Sequence, residues 1–125
     1  MDDRLPISAL LLARDETGEF ETLIRSLAFA REVVVVWDPR GNAATRAAAE
    51  RLGARVFERA FDGFGPQRLF ALERCTQDWV LWIDADERLA PGAQEALRAA
   101  VAGPPAAYTL ARRTRFLGKI GRAHV

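Results

Sequence analysis

The feature that most constrains the fold is a regular alternation between short apolar runs and stretches patterned as amphipathic helices. Leu5–Ala13 is almost continuously apolar and breaks at Arg14-Asp15-Glu16-Thr17-Gly18; Val33–Trp37 is dominated by β-branched residues; Arg55–Phe57 and Trp79–Ile83 are shorter runs of the same kind. Runs of this length, bounded by turn residues, read as strands buried on both faces. Between them, Phe20, Leu23, Ile24, Leu27 and Ala28 carry the i, i+3, i+4, i+7, i+8 spacing of a helix stripe. Ala44–Leu52 is helical by propensity, with Gly53 placed as its cap. Pro66 is expected as the first residue of a helix reaching about Cys75, and Pro91 as the opening of another, with Ala93, Ala96, Leu97, Ala100 and Val101 on one face. Gly103-Pro104-Pro105 stops that helix, and Ala106–Ala111 offers a fifth strand. Strands alternating with helices through short connections predict an α/β fold, a parallel sheet with helices on both faces. Ligands in such sheets bind beyond the carboxyl ends of the strands, where the strand order reverses.

Composition removes several function classes. The 125 residues are half apolar, enough for a core at this size, and 18 basic residues nearly balance 17 acidic ones. That balance does not point to nucleic acid, and the bias of the basic set toward arginine reads as codon usage before it reads as a binding face. A single cysteine, Cys75, rules out an internal disulfide and a cysteine-cluster metal site. A single histidine, His124, leaves almost nothing for histidine chemistry. No apolar run reaches the ~20 residues of a membrane span, and Met1-Asp2-Asp3-Arg4 does not open a signal peptide, so a cytoplasmic protein is expected.

The residues left to carry chemistry are carboxylates at the ends of strands. In Asp84-Ala85-Asp86, alternate residues leave the sheet on the same side, so two carboxylates converge on one volume. Hard oxygen ligands so placed suit Mg²⁺ or Mn²⁺ carried with substrate phosphates; the same tripeptide equally fits a solvated strand-to-helix turn. Asp38 ends the second strand as an acceptor for a nucleobase or ribose, or as a turn residue before Pro39 and Gly41. Asp15 and Glu16 line a pocket or begin the next helix. Gly63, Gly65, Gln67 and Arg68 form a loop-to-helix entry that suits a phosphate or is simply a turn, and it lacks the ending of a Walker loop. Cys75, Trp37, Trp79 and Trp82 read as core, and Arg112, Arg113 and Arg115 as a basic edge open to anionic substrate or lipid headgroups.

In this order the motifs resemble glycosyltransferase family 2, the nucleotide-sugar-dependent transferases of the GT-A fold, and within it bacterial transferases of the lipopolysaccharide-core type. The resemblance rests on Ala13-Arg14-Asp15-Glu16, on Glu32–Asp38, on Phe61-Asp62-Gly63-Phe64-Gly65-Pro66-Gln67-Arg68, and above all on Asp78–Leu89, a Trp-Val-Leu strand running into Asp-Ala-Asp-Glu. It implies that Asp38 contacts the nucleobase, Asp84 the ribose or metal-bound diphosphate, and Asp86 the divalent metal. Asp15 and Glu16 would line the nucleotide pocket, with Gln67 and Arg68 near the sugar-phosphate entrance. It also implies a nucleotide-sugar donor, a uridine diphosphate sugar first, a saccharide or lipid-linked acceptor, inversion at the transferred carbon, and peripheral contact with the inner membrane.

The sequence departs from the family's pattern after Asp38. Where Ser-x-Ser-x-Asp-x-Thr is usual, Pro39–Ala44 differ and only Thr45 matches; Asp15 and Leu69 each stand where asparagine is common. The family's catalytic base is a carboxylate well downstream of Asp-x-Asp, so none is expected within these residues. Two other classes fit less well: a haloacid-dehalogenase-like phosphatase, whose Asp-x-Asp belongs to the first strand, and a doubly wound interaction or receiver-like module, whose late lysine strand is lacking. Finally, Ile120–Val125 is the in-frame reading of ATC GGA AGA GCA CAC GTC, the start of a common sequencing-library adapter. Residues 1–118 are therefore expected to be the nucleotide-sugar-binding part of a GT-A domain, and 119–125 an adapter-derived tail. Sequencing the genomic locus tests this: natural codons uninterrupted through Val125 would refute it.

Overall fold

A computed structural model of the chain describes residues 2–103, 108–111 and 117–122. The elements are β1 (Leu5–Ala13), α1 (Gly18–Ser26), β2 (Ala30–Trp37), α2 (Ala43–Arg51), β3 (Arg55–Glu58), α3 (Phe64–Arg74), β4 (Trp79–Trp82), α4 (Ala93–Ala102), β5 (Tyr108–Ala111) and β6 (Leu117–Arg122). They build one six-stranded sheet in the order β3-β2-β1-β4-β6-β5. β3, β2, β1 and β4 run parallel, whereas β6 is antiparallel to both β4 and β5. The fifth strand thus exists over 108–111 but does not extend the parallel set, as the alternation alone would suggest. β6 returns between it and β4, and its backbone pairing with β4 includes Lys119–Arg122. Residues 106–107, Arg112, Arg113, Arg115 and His124 lie outside the described residues.

β1 explains why its sequence is continuously apolar. Leu5, Ile7, Ala9, Leu11 and Ala13 pack against Phe20, Leu23, Ile24 and Leu27, with Ala49 and Leu97 in the same cluster, so α1, α2 and α4 cover one face. Leu10 points the other way, into a cluster with Val34, Val36, Val80, Ala71 and Cys75, so α3 covers the opposite face. A period-2 strand sandwiched in this manner needs an apolar residue at nearly every position. Cys75 is a small core residue, as its sequence context suggests; burial first, then the nearby Glu32 charge, pushes its thiol up to about 11.

Two helix starts differ from the proline-based expectation. α3 begins at Phe64 behind Gly63, whose φ of 131° is open to glycine, and Pro66 occupies its third position. The first intrahelical bond there runs from the Gln67 N–H to the Gly63 carbonyl, 3.2 Å, so Pro66 sits where no backbone donor is required. α4 likewise begins at Ala93, with Pro91 and Gly92 in the preceding turn.

At the amino ends of the strands a half-buried polar knot ties four segments together. The Glu32 carboxylate accepts from the Ser8 hydroxyl (2.5 Å), the Thr76 N–H (2.6 Å), the Thr76 hydroxyl (2.8 Å) and Arg55 Nη1 (2.8 Å). Ser8 in turn accepts from the Gln77 N–H at 3.1 Å. Burial opposes ionisation of Glu32, yet these hydrogen bonds outweigh it and hold the carboxyl below its ordinary value. Its stabilising contribution is therefore complete above the unfolded glutamate pKa of about 4.3 and is lost as pH falls through the lower folded value. Glu32→Gln should lower unfolding free energy by about 2 kcal/mol at pH 7. In urea unfolding curves the variant and parent should converge in acid; an equal gap at pH 7 and pH 3 would refute the assignment.

Candidate functional site

The parallel strands wind in two directions from β1, toward β2 and β3 on one side and β4 on the other. The crevice beyond the carboxyl ends of β1 and β4 is therefore the switch point of the sheet. Ala13 pairs with Trp37, so the loops after β1 and β2 emerge at the same height, while β4, whose Trp82 pairs with Leu10, ends three residues lower. Those loops carry Arg14-Asp15-Glu16, Asp38–Asn42 and Asp84–Arg88.

The first two loops are fastened to each other. The Arg14 carbonyl accepts from Trp37 Nε1 and from the Asn42 N–H, each at 3.2 Å, and the Asp38 N–H donates to the Ala13 carbonyl at 3.0 Å. Gly41 passes so close that a Cβ there would lie 2.3 Å from the Arg14 oxygen. A side chain at position 41 would therefore force this close approach apart. Thr45, buried at the start of α2, accepts from the Glu16 N–H (2.9 Å) and donates to the Glu16 carbonyl (3.2 Å). Its match to the family pattern thus has a physical role: one hydroxyl holds both backbone groups of Glu16.

The loop after β4 is held from within. Asp84 and Asp86 are exposed while Ala85 and Glu87 are buried. Glu87 accepts from the Asp84 N–H at 3.0 Å, and its own N–H donates to the Asp84 carbonyl at 3.0 Å. Glu87 belongs to the Asp-Ala-Asp-Glu block, but its part in shaping the turn is visible only in three dimensions, since nothing in the sequence distinguishes a buried glutamate from a solvated one.

Across the crevice, Glu16 feels Asp86. Burial, then the charges of Asp86 and Asp15, raise the Glu16 carboxyl above its ordinary value, with a backbone hydrogen bond from Arg14 acting against them. Asp15 itself is exposed beside Arg14, 3.5 Å away. Among the described residues no three histidine, cysteine or acidic side chains are close enough to form a metal cage by themselves. The donor set is nonetheless of the right kind: exposed carboxylate oxygens, one or two of which suffice for an ion that takes its remaining ligands from substrate phosphates and water.

On the other flank, a cavity of about 180 Å³ is lined by Leu12, Ala13, Arg14, Asp38, Phe61, Phe64 and Gln67. Phe61 and Phe64 meet edge to face with centroids 5.0 Å apart. Gln67 borders the cavity, but its amide is committed to Arg59: Oε1 accepts from Nη1 and Nε2 donates to the carbonyl, both at 2.8 Å. Arg68 lies over the Phe64 ring at 5.3 Å and the Trp82 ring at 5.5 Å, which fixes its guanidinium on the β4 side of α3. The structure therefore puts Glu16 on the loop after β1 and Asp86 on the loop after β4, at the switch point, and Asp38 and Gln67 around the cavity beside it.

A raised carboxyl pKa means that the fold is stabilised by the protonated form, a contribution present below the unfolded pKa and lost as pH rises through the folded one. Glu16→Gln should accordingly melt higher than the parent at pH 7 without divalent cation, with the gap closing in acid. A variant that melts lower at pH 7 would contradict the unfavourable burial of the Glu16 charge.

The comparisons agree with this architecture. Residues 17–124 match the model of "Glycosyl transferase family 2". An uncharacterized glycosyltransferase of Rickettsia conorii is 37% identical over 89 residues, which are 71% of this chain and 32% of that protein. The lipopolysaccharide core biosynthesis glycosyltransferase LpsC of Rhizobium meliloti is 30% identical over 124 residues, 94% of this chain and 46% of LpsC. The chain thus spans a third to a half of the length of these relatives. Among solved structures, a mannosyltransferase of Pyrobaculum calidifontis in complex with GDP-Man and Mn²⁺ superposes with a TM-score of 0.68 at 21% identity, over 83% of this chain and 34% of that one. S. aureus TarS in complex with UDP-GlcNAc superposes with a TM-score of 0.65 at 19% identity, over 95% and 46% respectively. Neither the phosphatase nor the interaction-module alternative finds support. With a family match across most of its length and a parallel sheet that presents carboxylates at its switch point, the chain belongs to glycosyltransferase family 2, an enzyme family of the transferase class.

Proposed function

We propose that residues 1–118 bind the donor in a metal-dependent transfer of a sugar from a nucleotide sugar to a saccharide or lipid-linked acceptor of the lipopolysaccharide-core type, with inversion. The observation that carries this reading is the placement of Glu16 after β1 and of the exposed Asp84 and Asp86 after β4, on the loops that leave the sheet at its switch point. Carboxylates that repel one another there are relieved by a cation, and a diphosphate needs the same cation to approach them. Asp86 and Asp84 would hold Mg²⁺ or Mn²⁺, whose contribution is to neutralise the charge that develops on the departing nucleoside diphosphate. Glu16 and Asp15 would border the nucleotide, and the cavity between Asp38, Phe61 and Phe64 would take its base. Arg68, braced by two aromatic rings, would supply fixed positive charge near the sugar phosphate.

Removal of the acceptor hydroxyl proton in an inverting transfer needs a general base. None of the carboxylates at the switch point is assigned that task, since this reading gives each a role toward the donor. No helix among the described residues is long and apolar enough to cross a membrane. A lipid-linked acceptor would bring the enzyme to the cytoplasmic face of the inner membrane as a peripheral protein.

Calorimetric titration of nucleoside diphosphates in the presence and absence of Mn²⁺ tests the reading. The parent should bind only with metal, and Asp84→Ala/Asp86→Ala should lose that binding while keeping its fold by circular dichroism. Metal-independent binding, or none by well-folded parent, would overturn it.

A further inference from the structure

The cavity beside the switch point has an acidic wall that is already occupied. The Asp38 side chain is 3% exposed, and both its oxygens are taken. Oδ1 accepts from the backbone N–H and from Nε of Arg40, each at 3.0 Å. Oδ2 accepts from Arg40 Nη2 at 2.7 Å and from the Phe61 N–H at 3.3 Å. Arg40 Nη2 also donates to the Phe61 carbonyl at 2.9 Å, so the guanidinium bridges two residues of the cavity lining. A carboxylate has room for about four such bonds, which leaves Asp38 without a lone pair for a ligand. The hydrogen bonds of Arg40 also hold its carboxyl well below the ordinary aspartate range.

Arg40 is not on a loose loop. Its N–H is bound to Asp38, the next residue's N–H donates to the Asp38 carbonyl at 2.9 Å, and Gly41 is pressed against Arg14. Displacing the guanidinium to seat a neutral ring N–H would exchange a two-pronged charge-assisted contact for a single bond and leave a buried carboxylate short of partners. Arg40 Nη1, by contrast, meets no acceptor among the described residues and keeps its two donors.

The geometry points to Arg40 as the residue that sets the base preference of this donor site, by holding Asp38 as its ion-pair partner and so disfavouring bases that must donate a ring N–H to that carboxylate. The inference rests on the donor-binding reading above. Uracil and guanine carry such a donor; cytosine has an acceptor nitrogen at the corresponding ring position, which a carboxylate cannot satisfy either. With Arg40 in place no base gains a bond to Asp38, and the uridine preference that the family resemblance implies is lost.

Calorimetry of CDP, UDP and GDP with Mn²⁺ against the parent, Arg40→Ser and Arg40→Lys tests this. The parent should bind CDP and UDP with similar affinity, and Arg40→Ser should move the CDP:UDP affinity ratio toward UDP by on the order of tenfold, the worth of one hydrogen bond to a charged group. Arg40→Lys, which keeps the charge and cannot fill both oxygens, should fall between, and it serves if the serine variant folds poorly. A ratio unchanged by both substitutions, with nucleotide still bound, overturns the role of Arg40 alone. Absence of nucleotide binding by parent and variants alike overturns the donor-site reading and this inference with it.

Discussion

Everything in this molecule depends on β1 being paired on both edges and covered on both faces. Hydrogen bonds to β2 and β4 fix it laterally, and α1 with α4 on one side and α3 on the other exclude water from it. A strand so enclosed cannot shift register by one residue, because that would move every side chain to the opposite face. The loop that follows it is consequently held at a defined height, which places Glu16 at the switch point of the sheet. Site geometry is in this sense a by-product of core burial.

From that strand outward, the site is assembled by backbone contacts more than by side-chain ones. The Arg14 carbonyl is shared by Trp37 and Asn42, Thr45 grips Glu16 by both its peptide groups, and Glu87 closes the Asp84 turn upon itself. Each of these anchors leaves an acidic side chain facing solvent or a neighbouring acid. The fold therefore holds the loops through their backbone and leaves Asp84 and Asp86 exposed. Asp38 is the exception, since its charge is met internally by Arg40. That contrast separates the two flanks of the crevice: an acidic switch point, and an aromatic cavity whose acid is already paired.

The opposite end of the sheet shows the same chemistry put to structural use. Glu32, with Ser8, Thr76 and Arg55, has every oxygen bonded and almost no exposure, and it joins β1, β2, β3 and the end of α3. A glutamate followed by a β-branched run looks the same in sequence whether it is a clamp or a ligand. Gln67 is a similar case: the loop pattern suggests a ligand-facing amide, and the structure commits both of its polar atoms to Arg59.

The alternation of apolar runs and helix stripes was sufficient to determine the four parallel strands, the helices on both faces and the edge where chemistry would be found, because burial on one or two faces writes its period directly into neighbouring residues. The Asp-Ala-Asp-Glu block likewise determined the family. What the sequence could not determine was pairing between residues far apart: β6 entering between β4 and β5, Gly41 lying against Arg14, Thr45 holding Glu16, and Arg40 occupying Asp38. Local pattern records whether a side chain is buried, whereas which partner it meets depends on how distant segments are brought together, and only the tertiary structure decides that.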